Sequence, residues 1–147
     1  MYNETPAGGP NHAAALDILA RARPERLKPF AETLLENLGD ISVVTNRTGL
    51  VMLPMRDTVE NVDFHLGEVL VSEAQIADGA GCVGYGMVIG RDLERAMAMA
   101  VVDLHIATRG EDLATARFLS DERAHLAAAD ELRMRQVEAT RVEMETF

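Results

Sequence analysis

Apolar residues recur first at helical spacing, then in alternation, then at helical spacing again, which predicts an α+β chain. Asn11 is placed to cap a helix over about His12–Arg23, with Leu16, Leu19 and Ala20 on one face. Pro24 stops that helix and suits the first turn of the next. Leu27, Phe30, Ala31, Leu34, Leu35 and Leu38 then recur at three and four over about Glu25–Asn37, and Gly39 closes the run. The two segments predict an N-terminal helical hairpin.

The period changes to two at Ile41. Ile41–Thr45 reads as a strand, Asn46-Arg47-Thr48-Gly49 as a turn and Leu50–Met55 as a second strand. Arg56–Asn61 reads as a loop, Val62–Ala77 as a long strand, Asp78–Gly81 as a turn and Cys82–Ile89 as a fourth strand. The expected sheet is a four-stranded, mainly antiparallel meander. Asp92 then caps a helix whose Leu93, Ala96, Met97, Ala100, Val101 and Leu104 form one face. Met99, Val102 and Ile106 make its other side apolar too, so it is expected to be buried between the sheet and another layer.

Residues 108–120 are mixed and polar. Ser120 is expected to cap a long helix from Asp121 to Thr140 or beyond. Its charges are many and its stripe of Leu126, Leu132, Met134 and Val137 is thin, which predicts an arm over 120–147 that needs a partner. Residues 1–11 hold Pro6, Gly8, Gly9 and Pro10 without a basic start or an apolar run, and read as a loose tail. The rest, 12–147, reads as one domain.

Length and charge narrow the function. The chain has 147 residues and a formal net charge of −10, a sign that repels phosphate backbones and anionic membrane surfaces. Its hydrophobic content of 48% suits an ordinary core. Lys28 is the single lysine; every other basic residue is arginine. That bias fits a GC-rich genome, and it also fits phosphate recognition by planar guanidinium forks. Cys82 is the only cysteine, so no intrachain disulfide forms, and a reducing compartment, the cytoplasm, is expected. No apolar run reaches the length of a membrane span.

Candidate chemistry is sparse. Gly79-Ala80-Gly81-Cys82-Val83-Gly84 spells G-x-G-x-x-G, but a dinucleotide fingerprint needs a helix after it. Tyr85–Ile89 is β-like, so the stretch reads as a hairpin turn. Gly84, Gly86 and Gly90 alternate on one strand face, which reads as close packing of a helix, or else close approach of a ligand. Glu68 shares a period-two side with Val62, Phe64, Leu66, Leu70, Ala74 and Ile76, where an unpaired carboxylate is costly. Three readings stand: a bulge at Gly67 that turns Glu73 inward instead, an ion pair with an arginine, or direct chemistry. Glu122 and His125 form one E-x-x-H, whereas a di-iron bundle needs two such motifs and two further carboxylates, so they read as a solvated helix face. Cys82 reads as packing.

Several segments in fixed order resemble the PhnG family, subunits of the bacterial carbon–phosphorus lyase complex that degrades phosphonates. They are Thr48–Leu53, Arg56, Phe64–Val71, Glu73-Ala74, Gly84-Tyr85-Gly86, Gly90-Arg91-Asp92, Ala96 and the ending Thr140-Arg141-Val142-Glu143. Met144 departs from the family's more usual aromatic. The resemblance implies a cytoplasmic multisubunit core with PhnH, PhnI and PhnJ, PhnI being the closest partner. It implies that PhnG, PhnH, PhnI and PhnL use MgATP and an alkylphosphonate to displace adenine and form a ribose 1-alkylphosphonate 5-triphosphate. Cleavage of the carbon–phosphorus bond falls to PhnJ and its iron–sulfur cluster. No cofactor or metal is expected on this chain alone, and one cysteine cannot hold a cluster.

Three functions follow from these readings. The first is an accessory subunit, inactive alone. The second places residues of this chain in a shared site, with Glu68 or Asp92 as acid, base or metal-linked carboxylate and Arg56, Arg91 or Arg141 holding phosphate or phosphonate. The third is a scaffold that self-associates when isolated.

Overall fold

The computed structural model describes residues 10–142. Helices α1 (Pro10–Arg21) and α2 (Pro24–Leu38) precede strands β1 (Ile41–Arg56), β2 (Asp63–Asp78) and β3 (Val83–Ile89). Helices α3 (Leu93–Arg109) and α4 (Leu113–Ala139) follow. The fold is α+β, as the periodicity predicts. Both N-terminal helices are present, with Pro24 opening α2, but they pack on α3 rather than on each other, so they do not form the expected hairpin. Helix α1 begins at Pro10, so Asn11 lies inside its first turn rather than capping it. Residues 1–9 of the expected tail, and Glu143 and Met144 of the family-like ending, lie outside the described residues.

The sheet has three strands in the order β1-β2-β3, not four. The expected turn at Asn46–Gly49 is absent because each of its residues finds a partner on β2. Asn46 pairs with Ala74, Arg47 with Glu73, Thr48 with Ser72 and Gly49 with Val71. Arg47 Nε also donates to Glu73 Oε2 at 2.9 Å. A sixteen-residue β2 is a template long enough to hold β1 extended through polar, turn-like residues.

The register slips twice. Val44 is the extra residue on β1, and Leu66 is the extra residue on β2, one position before the expected bulge at Gly67. The slip at Leu66 breaks the period-two side that joined Phe64 to Ala74. Glu73 sits half-buried in a cross-strand pair with Arg47 rather than in the helix-covered layer.

Helix α3 is the centre of the core. Asp92 caps it, accepting the Arg95 N–H at 2.9 Å. Every residue from Ala98 to His105 is buried, as an all-round apolar helix predicts. One side of α3 lies on the face of β2 and β3 that carries Ala74, Ile76, Gly84, Gly86 and Val88. A Cβ on Gly86 would stand 2.0 Å from the Ala96 carbonyl oxygen, and one on Gly84 2.2 Å from that of Ala100. The glycines are there for helix packing, not for a ligand. Helices α1 and α2 cover the other side through Ile18, Leu19, Leu27, Ala31 and Leu34. Burying one such leucine contributes about 1.5–3 kcal/mol.

Helix α4 starts eight residues earlier than its charge pattern predicts. Asp112 accepts the Thr115 N–H at 2.8 Å and so makes the cap that Ser120 was expected to supply. The first turns of α4 are the anchored ones, with Thr115, Phe118, Leu119 and Glu122 buried. Phe118 stacks on Phe30 of α2 with ring centroids 4.4 Å apart.

Candidate functional site

Two segments leave the core without a partner. The larger is the far half of the β1–β2 hairpin. From Asn46 to Arg56 every β1 residue is exposed, and so is every β2 residue from Asp63 to Glu68. The arm proper, Leu50–Arg56 facing Asp63–Leu70, has two strands only, because β3 reaches β2 from Val71 onward. Leu50 is 62% exposed, Met52 60%, Leu66 59% and Phe64 44%. A lone two-stranded ribbon is marginal in water, and apolar side chains at this density are unusual on a free surface.

The arm is nonetheless a built hairpin rather than a loose loop. At its tip Asp57 accepts the Val59 and Glu60 N–H groups at 3.1 and 2.8 Å, and these bonds hold its carboxyl below the usual range. Asn61 takes a left-handed φ of 58°, which asparagine tolerates better than most residues. The Asp57 N–H donates to the Val62 carbonyl, and Arg56 Nε meets Asp63 Oδ1 at 2.7 Å.

The second segment is the far end of α4. Beyond the half-buried Leu126 every residue from Ala127 to Val142 is exposed, including Leu132, Met134 and Val137. About 20 Å of helix therefore projects from the body. The long C-terminal helix expected from the sequence is present, and its fully exposed part begins after Leu126 rather than at residue 120.

Polar anchors fix both arms to the body. Glu122, fully buried on α4, accepts from the Arg23 N–H at 3.0 Å and from Arg23 Nη2 at 2.7 Å. Burial pushes its carboxyl up, but the Arg23 bonds outweigh this and hold it below the usual carboxylate range. It caps the N-terminus of α2 from a different helix, where a negative charge also suits the helix dipole. Asp112 sits at about 2, lowered by Thr115 and by His105 Nε2 at 2.9 Å. On the sheet, Glu73 joins Arg47 to the Tyr85 hydroxyl at 3.0 Å, and burial together with Glu73 pushes Tyr85 up to about 12. Buried Asp103 accepts the Tyr85 N–H at 2.9 Å and meets His12 Nε2 at 2.7 Å.

The five residues expected to carry chemistry are dispersed. Glu68 is exposed on the arm opposite Met52, not among the buried positions. Arg56 is at the arm tip in its pair with Asp63. Asp92 is occupied at the start of α3 by Arg95 N–H and by Lys28 Nζ at 3.1 Å, and these bonds lower its pKa. Arg91 is exposed beside it. Arg141 is exposed past the end of α4, 3.4 Å from Glu138. Within one copy these residues form no single site. Among the described residues no three His, Cys, Asp or Glu side chains are grouped to hold a metal ion, and no helix is long and apolar enough to cross a membrane.

Glu122 is the anchor that the linear pattern misassigns. The E-x-x-H reading puts it with His125 on a solvated face, yet Glu122 is buried while His125 is exposed. Its signal was present: Thr115, Phe118, Leu119, Glu122 and Leu126 share one helical stripe.

The family model described as phosphonate metabolism protein PhnG matches residues 11–147. The chain belongs to the PhnG family. A curated relative from Rhizobium meliloti (strain 1021), the alpha-D-ribose 1-methylphosphonate 5-triphosphate synthase subunit PhnG, is 28% identical over 142 residues. The match covers 96% of this chain and 90% of that protein. Two of the segments that resemble the PhnG family, Thr48–Leu53 and Phe64–Val71, face each other on the β1–β2 hairpin and run from the body of the sheet into the arm. The G-x-G-x-x-G stretch of this PhnG-family chain is the β2–β3 turn, where Asp78 Oδ1 accepts the Ala80 and Cys82 N–H groups.

Proposed function

We propose that this chain is an accessory subunit of the assembly that makes ribose 1-methylphosphonate 5-triphosphate from MgATP and an alkylphosphonate, with adenine displaced. The observation that carries the reading is the exposed apolar hairpin arm, a surface suited to burial in another subunit. The name of the curated relative and membership of the PhnG family support the pathway. PhnI is the partner that receives the arm, within a cytoplasmic core that also contains PhnH and PhnJ, and PhnL joins for the transfer step.

Charge supports a divided site. A chain of −10 repels ATP and phosphonate, and many of its arginines are already paired with carboxylates. Magnesium and basic groups of the partners therefore neutralise the polyanion. The chain's own contributions to a shared site are Glu68 and Arg56, which the arm carries outward, then Arg91, Asp92 and Arg141.

Phosphorus NMR tests the reading. The isolated chain with MgATP and methylphosphonate is expected to give no phosphonate ester, and the reconstituted assembly is expected to give it. Product from the isolated chain overturns the accessory role. In the same assembly, a Glu68→Gln subunit that binds normally but slows the reaction about 100-fold makes Glu68 an acid or base. Full activity confines Glu68 to the arm surface.

A further inference from the structure

The outer edge of β1 has no neighbour among the described residues, because β2 lies on its other side. Such an edge presents a row of unpaired backbone N–H and C=O groups. Proteins blunt that row with charges, prolines, bulges or a covering segment. In β1 these devices stand at both ends of one stretch rather than along it. The bulge at Val44 closes one end; the register slip at Leu53/Pro54, with a proline that cannot donate, closes the other.

Between them, Thr45–Leu53 runs in unbroken register against β2. This is about 30 Å of regular edge. Arg47 is its only charged residue, and Glu73 already pairs with it.

The stretch is symmetric about Gly49, since Val44 and Pro54 lie equally far from it on either side. That symmetry selects the occupant. A two-fold axis over Gly49 would lay β1 antiparallel to its own copy, an isologous contact. Thr45 would then oppose the copy's Leu53, Arg47 its Val51 and Leu50 its Thr48, so no like charges meet. Gly49 carries no side chain, so the two residues facing each other across the axis do not crowd. Although the chain as a whole is acidic, β1 contains no Asp or Glu, so two copies meet no acidic row along this edge.

We propose that two copies of this chain pair edge to edge through Thr45–Leu53 of β1, in an antiparallel register centred on Gly49. Two three-stranded sheets become one sheet of six. The faces of the arm stay open for a different subunit, because edge pairing uses the backbone in the plane of the sheet.

The test is sedimentation of the full chain over a concentration series, with Val51→Lys and Val51→Glu variants. Val51 is exposed on the arm and outside the core, so both variants keep the fold, and circular dichroism verifies it. The wild-type chain is expected to reach twice the mass of one chain. Val51→Lys sets a lysine against the copy's Arg47 on both sides of the axis and is expected to weaken the dimer about tenfold. Val51→Glu sets opposite charges there and is expected to leave the dimer as tight or tighter. A wild-type chain that stays monomeric overturns the proposal and leaves the edge to a strand of another protein. A dimer indifferent to both variants overturns it in favour of another surface. Equal weakening by both variants overturns the register.

Discussion

Gly86→Ala is expected to destabilise the chain by about 3 kcal/mol, near the upper end for adding one carbon to a packed interior. The added Cβ would meet the Ala96 carbonyl oxygen at 2.0 Å and the Ala100 backbone nitrogen at 2.9 Å. Both neighbours belong to the backbone of α3, so neither can rotate away; the helix itself has to lift from β3. Gly79→Ala is the control. It lies in the β2–β3 turn with nothing within 4 Å of a new Cβ, and its effect is expected to stay within about 0.5 kcal/mol. Urea denaturation of both variants checks the pair. Equal midpoints would contradict the close seating of α3 on the sheet.

Glu122→Ala is expected to cost about 3–5 kcal/mol, the range for removing one partner of a buried charge pair. The carboxylate is fully buried and accepts both the backbone N–H and the guanidinium of Arg23, with Arg26 Nε at 3.7 Å. Its loss leaves the start of α2 uncapped and Arg23 without its counter-charge. Arg23→Ala strands the buried carboxylate with only a backbone N–H and the more distant Arg26, so it is expected to cost at least as much, and the double variant less than the sum of the two. Strict additivity in a double-mutant cycle by denaturant unfolding would show that the contact is not what holds α4 to α2. Glu122 is the last fully buried residue of α4 before its exposed outer part.

Much of this fold was legible in the linear pattern, for reasons that can be named. Helix α3 carries apolar residues all round, and only burial between two layers accommodates that. The cap at Asp92 and the proline at the start of α2 are local signals, and local chemistry decides them. The failures have long-range causes. Asn46–Gly49 has turn-like residues, but β2 offers each of them a partner, and pairing overrides local preference. The bulge at Leu66 depends on how two strands meet, which period-two counting along one strand does not contain. Ser120 loses to Asp112 because the anchoring stripe of α4 begins at Thr115, within a stretch that looks too polar for a helix.

The candidate site was less legible than the fold. Glu68 is a carboxylate in line with apolar residues, and its near neighbours Phe64 and Leu66 lie on an exposed arm instead of in the core. A carboxylate that is anomalous in a core is ordinary on an exposed strand. The outer part of the thin α4 stripe is exposed as well, and the comparison with the PhnG family gives both surfaces a setting.

Co-purification of the phosphonate subunits with an arm variant tests the central claim most directly. Leu50→Asn, Met52→Asn and Leu66→Asn combined change only exposed positions, so the unfolding free energy of the isolated chain is expected to stay within about 1.5 kcal/mol of wild type. The wild-type chain is expected to co-elute with the other subunits and the triple variant to elute alone. A folded triple variant that still co-elutes in full proportion would contradict the role given to the arm.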